Sequence, residues 1–125
     1  MDYDFAVLRV VPSVHLAAFV NVGVVLHART AEFLALRTIT DPRVLARLAP
    51  GVEPELLARY LSSCAAICAG EESGGPVALA PPSERFHWLT APRSDVLQSS
   101  PVHEGVCDDP GVALDELYEA YVGKH

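Results

Sequence analysis

A chain of 125 residues, half of them apolar, is enough for one domain around one core. Sixteen acidic residues against nine basic ones give a net charge of −7, which argues against nucleic-acid binding, since such binders carry a basic surface. No apolar run approaches a membrane span, and Met1-Asp-Tyr-Asp4 is acidic where a signal peptide is basic. The expectation is therefore a cytoplasmic protein without a membrane segment.

Residues 4–12 are rich in β-formers and end at Pro12, which predicts a strand. Residues 19–28 predict a second strand and 32–39 a third. The short link at 27–31 predicts a hairpin between those two. Alternation places Phe19, Asn21, Gly23, Val25 and His27 on one face of the second strand, and Val20, Val22, Val24 and Leu26 on the other. On the first strand Arg9 shares a face with Phe5, Val7 and Val11, and a cation there must be paired or reach an edge. Arg9 near Asn21 is either the floor of a polar pocket or a structural Arg satisfied by backbone carbonyls, with Gly23 serving helix packing.

Three helices share a start signal, an acid followed by Pro: Asp41-Pro42, Glu53-Pro54 and Asp109-Pro110. The acid suits the positive end of the helix dipole. The first helix stops at Pro50-Gly51 and the second at Gly70. The inward stripe of the second includes Cys64 and Cys68, which read as core. Three cysteines in all fit a reducing compartment. Residues 70–83 read as a flexible connector, 83–89 as a short helix and 95–99 as a short strand. Strands first and helices later predict a single α+β domain over 1–125. Its architecture is a small antiparallel β-sheet with three or four helices packed on one face.

Residues 84–105 hold the sole Trp, two Arg and two His. Arg85 and Arg93 flank the aromatic run Phe86-His87-Trp88, and guanidinium groups suit phosphate or carboxylate. Gln98, Ser100 and His103 could complete a polar wall, with Arg9 and Asn21 beneath it. On this reading nine residues, Arg9, Asn21, Arg85, His87, Trp88, Arg93, Gln98, Ser100 and His103, form a pocket for an anionic, nucleotide-like or carboxylate metabolite. On the other, Phe86 and Trp88 are core and Arg93 pairs with Asp95. His103 and Cys107 make one candidate pair, short of the three or four ligands a metal needs, so no metal or cofactor is assigned. Ser99 and Ser100 lack a nucleophile-elbow pattern, and Gly70, Gly74 and Gly75 lack the Lys of a phosphate loop. Residues 94–125 carry seven acids against Lys124, a solvated helix face or a surface for a basic partner.

Three stretches together carry a resemblance: Phe19-Val-Asn-Val-Gly-Val-Val-Leu26, Arg85-Phe-His-Trp-Leu-Thr-Ala-Pro-Arg93 and Gln98-Ser-Ser-Pro-Val-His-Glu-Gly105. The chain resembles the bacterial family catalogued as DUF3037 over nearly its whole length. The family has no established function and transfers no active site. The resemblance implies a partner, because members are often encoded beside a kinase-like protein of the HipA type. The leading expectation is a non-catalytic regulatory or interaction module working through the surface around Arg85–His103. The alternative is a small enzyme or sensor in which Arg85 and Arg93 hold an anion and His103 moves a proton. Whether the chain is an enzyme stays open.

Overall fold

The computed structural model describes residues 1–13, 18–91 and 96–125. Among them a five-stranded antiparallel sheet forms from β1 (Asp2–Ser13), β2 (Ala18–Ala28), β3 (Phe33–Thr38), β4 (Leu97–Ser99) and β5 (His103–Val106). The helices are α1 (Pro42–Leu48), α2 (Pro54–Ala69), α3 (Pro82–Thr90) and α4 (Pro110–Tyr121). The architecture is α+β. The sheet runs β3-β2-β1, and β4 and β5 share the far edge of β1.

The acid before each helical Pro does more than face a dipole. Asp41 accepts a hydrogen bond from the Arg43 N–H at 2.9 Å. Glu53 accepts from Glu55 and Leu56, and Asp109 from Gly111 and Val112. Each carboxylate thus caps amides that have no partner inside the helix. Gly70, at φ 73°, closes α2 in the left-handed conformation that glycine tolerates best.

The helices are not confined to one face. Phe5 lies against Tyr121 of α4, ring centroids 5.8 Å apart. His27, cross-strand from the neighbouring Asp4, lies against Phe86 of α3 at 5.5 Å. Successive strand residues point to opposite faces, so α4 covers one face while α3, with α2 packed on it, covers the other. The expected single helical layer is divided because Phe5–Leu8 and Val22–Ala28 are buried without a break. Strands apolar on both sides need cover on both sides. Arg37 helps fasten α4 to β3, pairing with Asp115 at 2.9 Å and lying over the Tyr118 ring at 4.3 Å.

Strict alternation also fails within β2. Leu8 faces Gly23 but Arg9 faces Asn21, which leaves Val22 as an extra residue in a bulge. Asn21 therefore moves to the α4 face, where its side-chain amide donates to the Tyr121 carbonyl at 3.0 Å. It does not share a face with Gly23.

The edge strand breaks at Ser100-Pro101. There the Ser100 N–H donates to the Val7 carbonyl at 2.8 Å, and the buried Val7 N–H donates to Ser100 Oγ at 2.8 Å. The hydroxyl replaces a backbone acceptor where the ladder is interrupted. Ser100→Ala should cost about 1–3 kcal/mol by stranding that N–H, measured by urea denaturation. A stability equal to wild type would show that the hydroxyl is dispensable.

The segment 70–83 carries two 3₁₀ turns, Glu72–Gly74 and Pro76–Leu79, and Ala78 is buried. α2 turns Leu57, Leu61, Cys64, Ile67 and Cys68 into the core, while Leu56 and Tyr60, which the helical spacing also places inward, are half-buried and exposed.

Candidate functional site

α3 is short and begins at Pro81-Pro82 without a side-chain cap. Two buried residues, Phe86 and Leu89, hold it down. Ser83, Glu84 and His87 turn outward, and Trp88 is 38% exposed. Concavities lie on either side of it. The larger, about 740 Å³, is lined by Asp4, His27, Arg29, Thr90 and Glu104 among others. The smaller, about 430 Å³, is lined by Val77, Glu84, Trp88 and Ala91. Both include Ser83 and His87, so the two form one continuous surface with a polar, acidic end and an apolar end.

His27 sits at the acidic end, 6% exposed and directly across from Asp4. Burial lowers its pKa below the ordinary value; Asp4 works against that and Arg29 adds to it. The folded chain therefore keeps this imidazole neutral where the unfolded chain has already bound a proton. The stability it contributes is complete above about pH 6.5 and is lost as pH falls through that value toward the lowered native pKa. Thermal melts from about pH 7.5 down to about pH 5 should show a loss on acidification that shrinks in His27→Gln. Equal losses in the two proteins would assign the titration to another group.

Among the described residues, those singled out from the sequence do not converge. Arg85 points inward, donating from Nη1 to the Cys68 carbonyl at 3.1 Å and the Ile67 carbonyl at 3.4 Å. It satisfies the last turn of α2 and does not reach outward with Trp88. Arg9, Asn21, Gln98 and His103 lie on the α4 face. There the Arg9 guanidinium stacks over Phe19 at 4.2 Å and His103 packs on Phe5 at 5.3 Å. Ser100 is buried and bonded to β1. His87 and Trp88 stand on the opposite face, with the sheet between. Arg93 and Asp95, and with them the proposed pairing of the two, lie outside the described residues. The nine-residue anion pocket is not assembled among the residues described.

Sequence reasoning missed Asp4, His27, Arg29 and Glu104. The only signal for them was His27 at the end of an apolar strand. Its neighbours follow from strand register, which places Asp4 opposite both His27 and Glu104.

Cys64 and Cys68 are buried, and burial pushes the Cys68 thiol up to about 12, so it stays protonated at neutral pH. Among the described residues no three His, Cys, Asp or Glu side chains are grouped to hold a metal ion. No helix among them is long and apolar enough to cross a membrane.

A family model described as "Protein of unknown function (DUF3037)" matches residues 5–122. The chain belongs to the DUF3037 family. No curated protein and no solved structure matches it. The DUF3037 match runs from Phe5 in β1 to Val122 just past α4, so it takes in all of α3 and both concavities' central residues, His27, His87 and Trp88.

Proposed function

We propose that this DUF3037 protein is a non-catalytic regulatory module that docks a protein partner through the concave surface along α3. The kinase-like protein of the HipA type, suggested by the family resemblance, is the partner to test. The observation that carries the reading is Trp88. A tryptophan on a short surface helix, more than a third exposed and lining an apolar depression, is the residue type most enriched at the energetic centres of interfaces. Val77 lines the same depression and adds apolar area beside it. The polar groove next to it supplies a rim.

The anion-binding alternative draws less support. Among the lining residues of the larger groove Arg29 is the sole Arg or Lys, set against Asp2, Asp4 and Glu104. Calorimetric titration of the kinase-like protein into wild type and Trp88→Ala tests the proposal. Saturable binding to wild type that collapses in the variant supports it. Absence of binding, or equal affinity for the two, sinks it.

A further inference from the structure

We propose that the free edge of β5 accepts an extended, basic segment of a partner protein as an additional strand. This deepens the reading of the chain as a binding module, but it rests on β5 and two grooves whose lining does not include Trp88.

The backbone supplies the first argument. The Cys107 N–H donates to the Met1 carbonyl, and the Ser100 N–H to the Val7 carbonyl. In an antiparallel pair, residues alternate between exchanging hydrogen bonds with the partner strand and pointing away from it. Met1, Tyr3 and Phe5 therefore bond toward β5, where their register partners include Gly105 and His103. Glu104 and Val106 direct their N–H and C=O groups away from β1, to an edge that no strand among the described residues pairs with. The strand is barely covered, with Val106 76% exposed.

The second argument is that this edge has a groove on each side. On the α3 face it borders the 740 Å³ concavity, to which Glu104 and Val106 contribute. On the α4 face it borders another of about 500 Å³, lined by Tyr3, Cys107, Val112, Glu116 and Leu117 among others. Gly105 lets the Tyr3 ring, which lines that second groove, lie across the strand, because a Cβ there would run into it. A chain laid along β5 sends alternate side chains into the two grooves. Strand addition works in that way, with main-chain bonds giving affinity and side-chain pockets giving selectivity.

Charge selects the occupant. The α3-side groove carries Asp2, Asp4 and Glu104 against Arg29, and the α4-side groove carries Asp108 and Glu116 beside apolar Val112 and Leu117. Alternating basic and apolar side chains match both walls. A second copy of this chain does not, because pairing β5 with itself sets the same acids against one another.

The probe is a short peptide of alternating Lys and Val, titrated into the isotope-labelled full chain and followed by amide NMR. The expected result is binding with shifts concentrated at His103–Cys107, and none with a peptide of alternating Glu and Val. Val106→Pro removes an edge-facing N–H that β1 does not use, a position where an edge strand tolerates Pro. It should weaken Lys–Val binding by at least about tenfold while the thermal melt stays near wild type. Should that variant not fold, a Lys–Val peptide N-methylated at every amide, which leaves no N–H on either edge, makes the same test with the protein unaltered, and it should not bind. Undiminished binding by Val106→Pro or by the methylated peptide overturns the proposal. So do equal affinities for the Lys and Glu peptides, or no binding of either. Trp88→Ala should leave peptide binding unchanged, so failure at β5 and failure of the α3 surface are read separately.

Discussion

Leu89→Ala is expected to lower the unfolding free energy by about 2–5 kcal/mol, the range for truncating a fully buried leucine. Leu89 has no exposed surface and with Phe86 forms the buried side of a nine-residue helix. So short a helix has little stability of its own in water and depends on its packed face. The cavity left by alanine would also loosen the placement of His87 and Trp88, so affinity for a partner should fall along with the melting temperature. Denaturant titration and calorimetry on the same variant measure both. A variant with wild-type stability would mean that α3 is not anchored through this side chain.

Trp88→Ala, one residue earlier, should do the reverse. Its side chain faces outward, and alanine is the better helix former, which offsets part of the lost contact. Stability should therefore fall far less than in Leu89→Ala. Partner affinity should fall by about 2 kcal/mol or more, roughly thirtyfold, the loss that defines an interface hot spot. Two adjacent substitutions thus separate the side chain that builds the surface from the one that forms it. If Trp88→Ala destabilises as strongly as Leu89→Ala, the indole is part of the core and the docking surface loses its centre.

The helices were legible because their signals are local. Asp41-Pro42, Glu53-Pro54 and Asp109-Pro110 each place a capping carboxylate before a residue suited to the first turn, and Gly70 supplies the stop. The first three strands were legible from their β-branched content. β5 was not, since His103-Glu-Gly-Val106 has no apolar alternation and owes its conformation to pairing with β1. The bulge at Val22 was equally hidden, and it reverses the face on which Asn21 stands. The unbroken apolar runs of β1 and β2 did contain the sign that both faces are covered, a pattern that reads differently from half-buried alternation.

The candidate site was legible in composition and illegible in arrangement. The run around Trp88 stood out because a small core needs no such mixture, and His87 and Trp88 do reach the surface. Arg85, three residues from Trp88, turns the other way to serve the carbonyls of α2. Sequence proximity on a helix does not fix direction, and the sheet parts Arg9 and His103 from α3. Asp4 and His27 meet only through strand register, which no local pattern encodes.

Trp88 is the sole tryptophan of the chain, so the protein labelled with 5-fluorotryptophan carries a single fluorine signal, whatever unlabelled partner is added. Titrating the kinase-like protein of the HipA type into that sample addresses the α3 surface directly. A signal that shifts or broadens to saturation as the complex forms is the predicted result. A signal unchanged in a complex shown by calorimetry to be fully formed would contradict the account, since the partner would then bind somewhere other than α3.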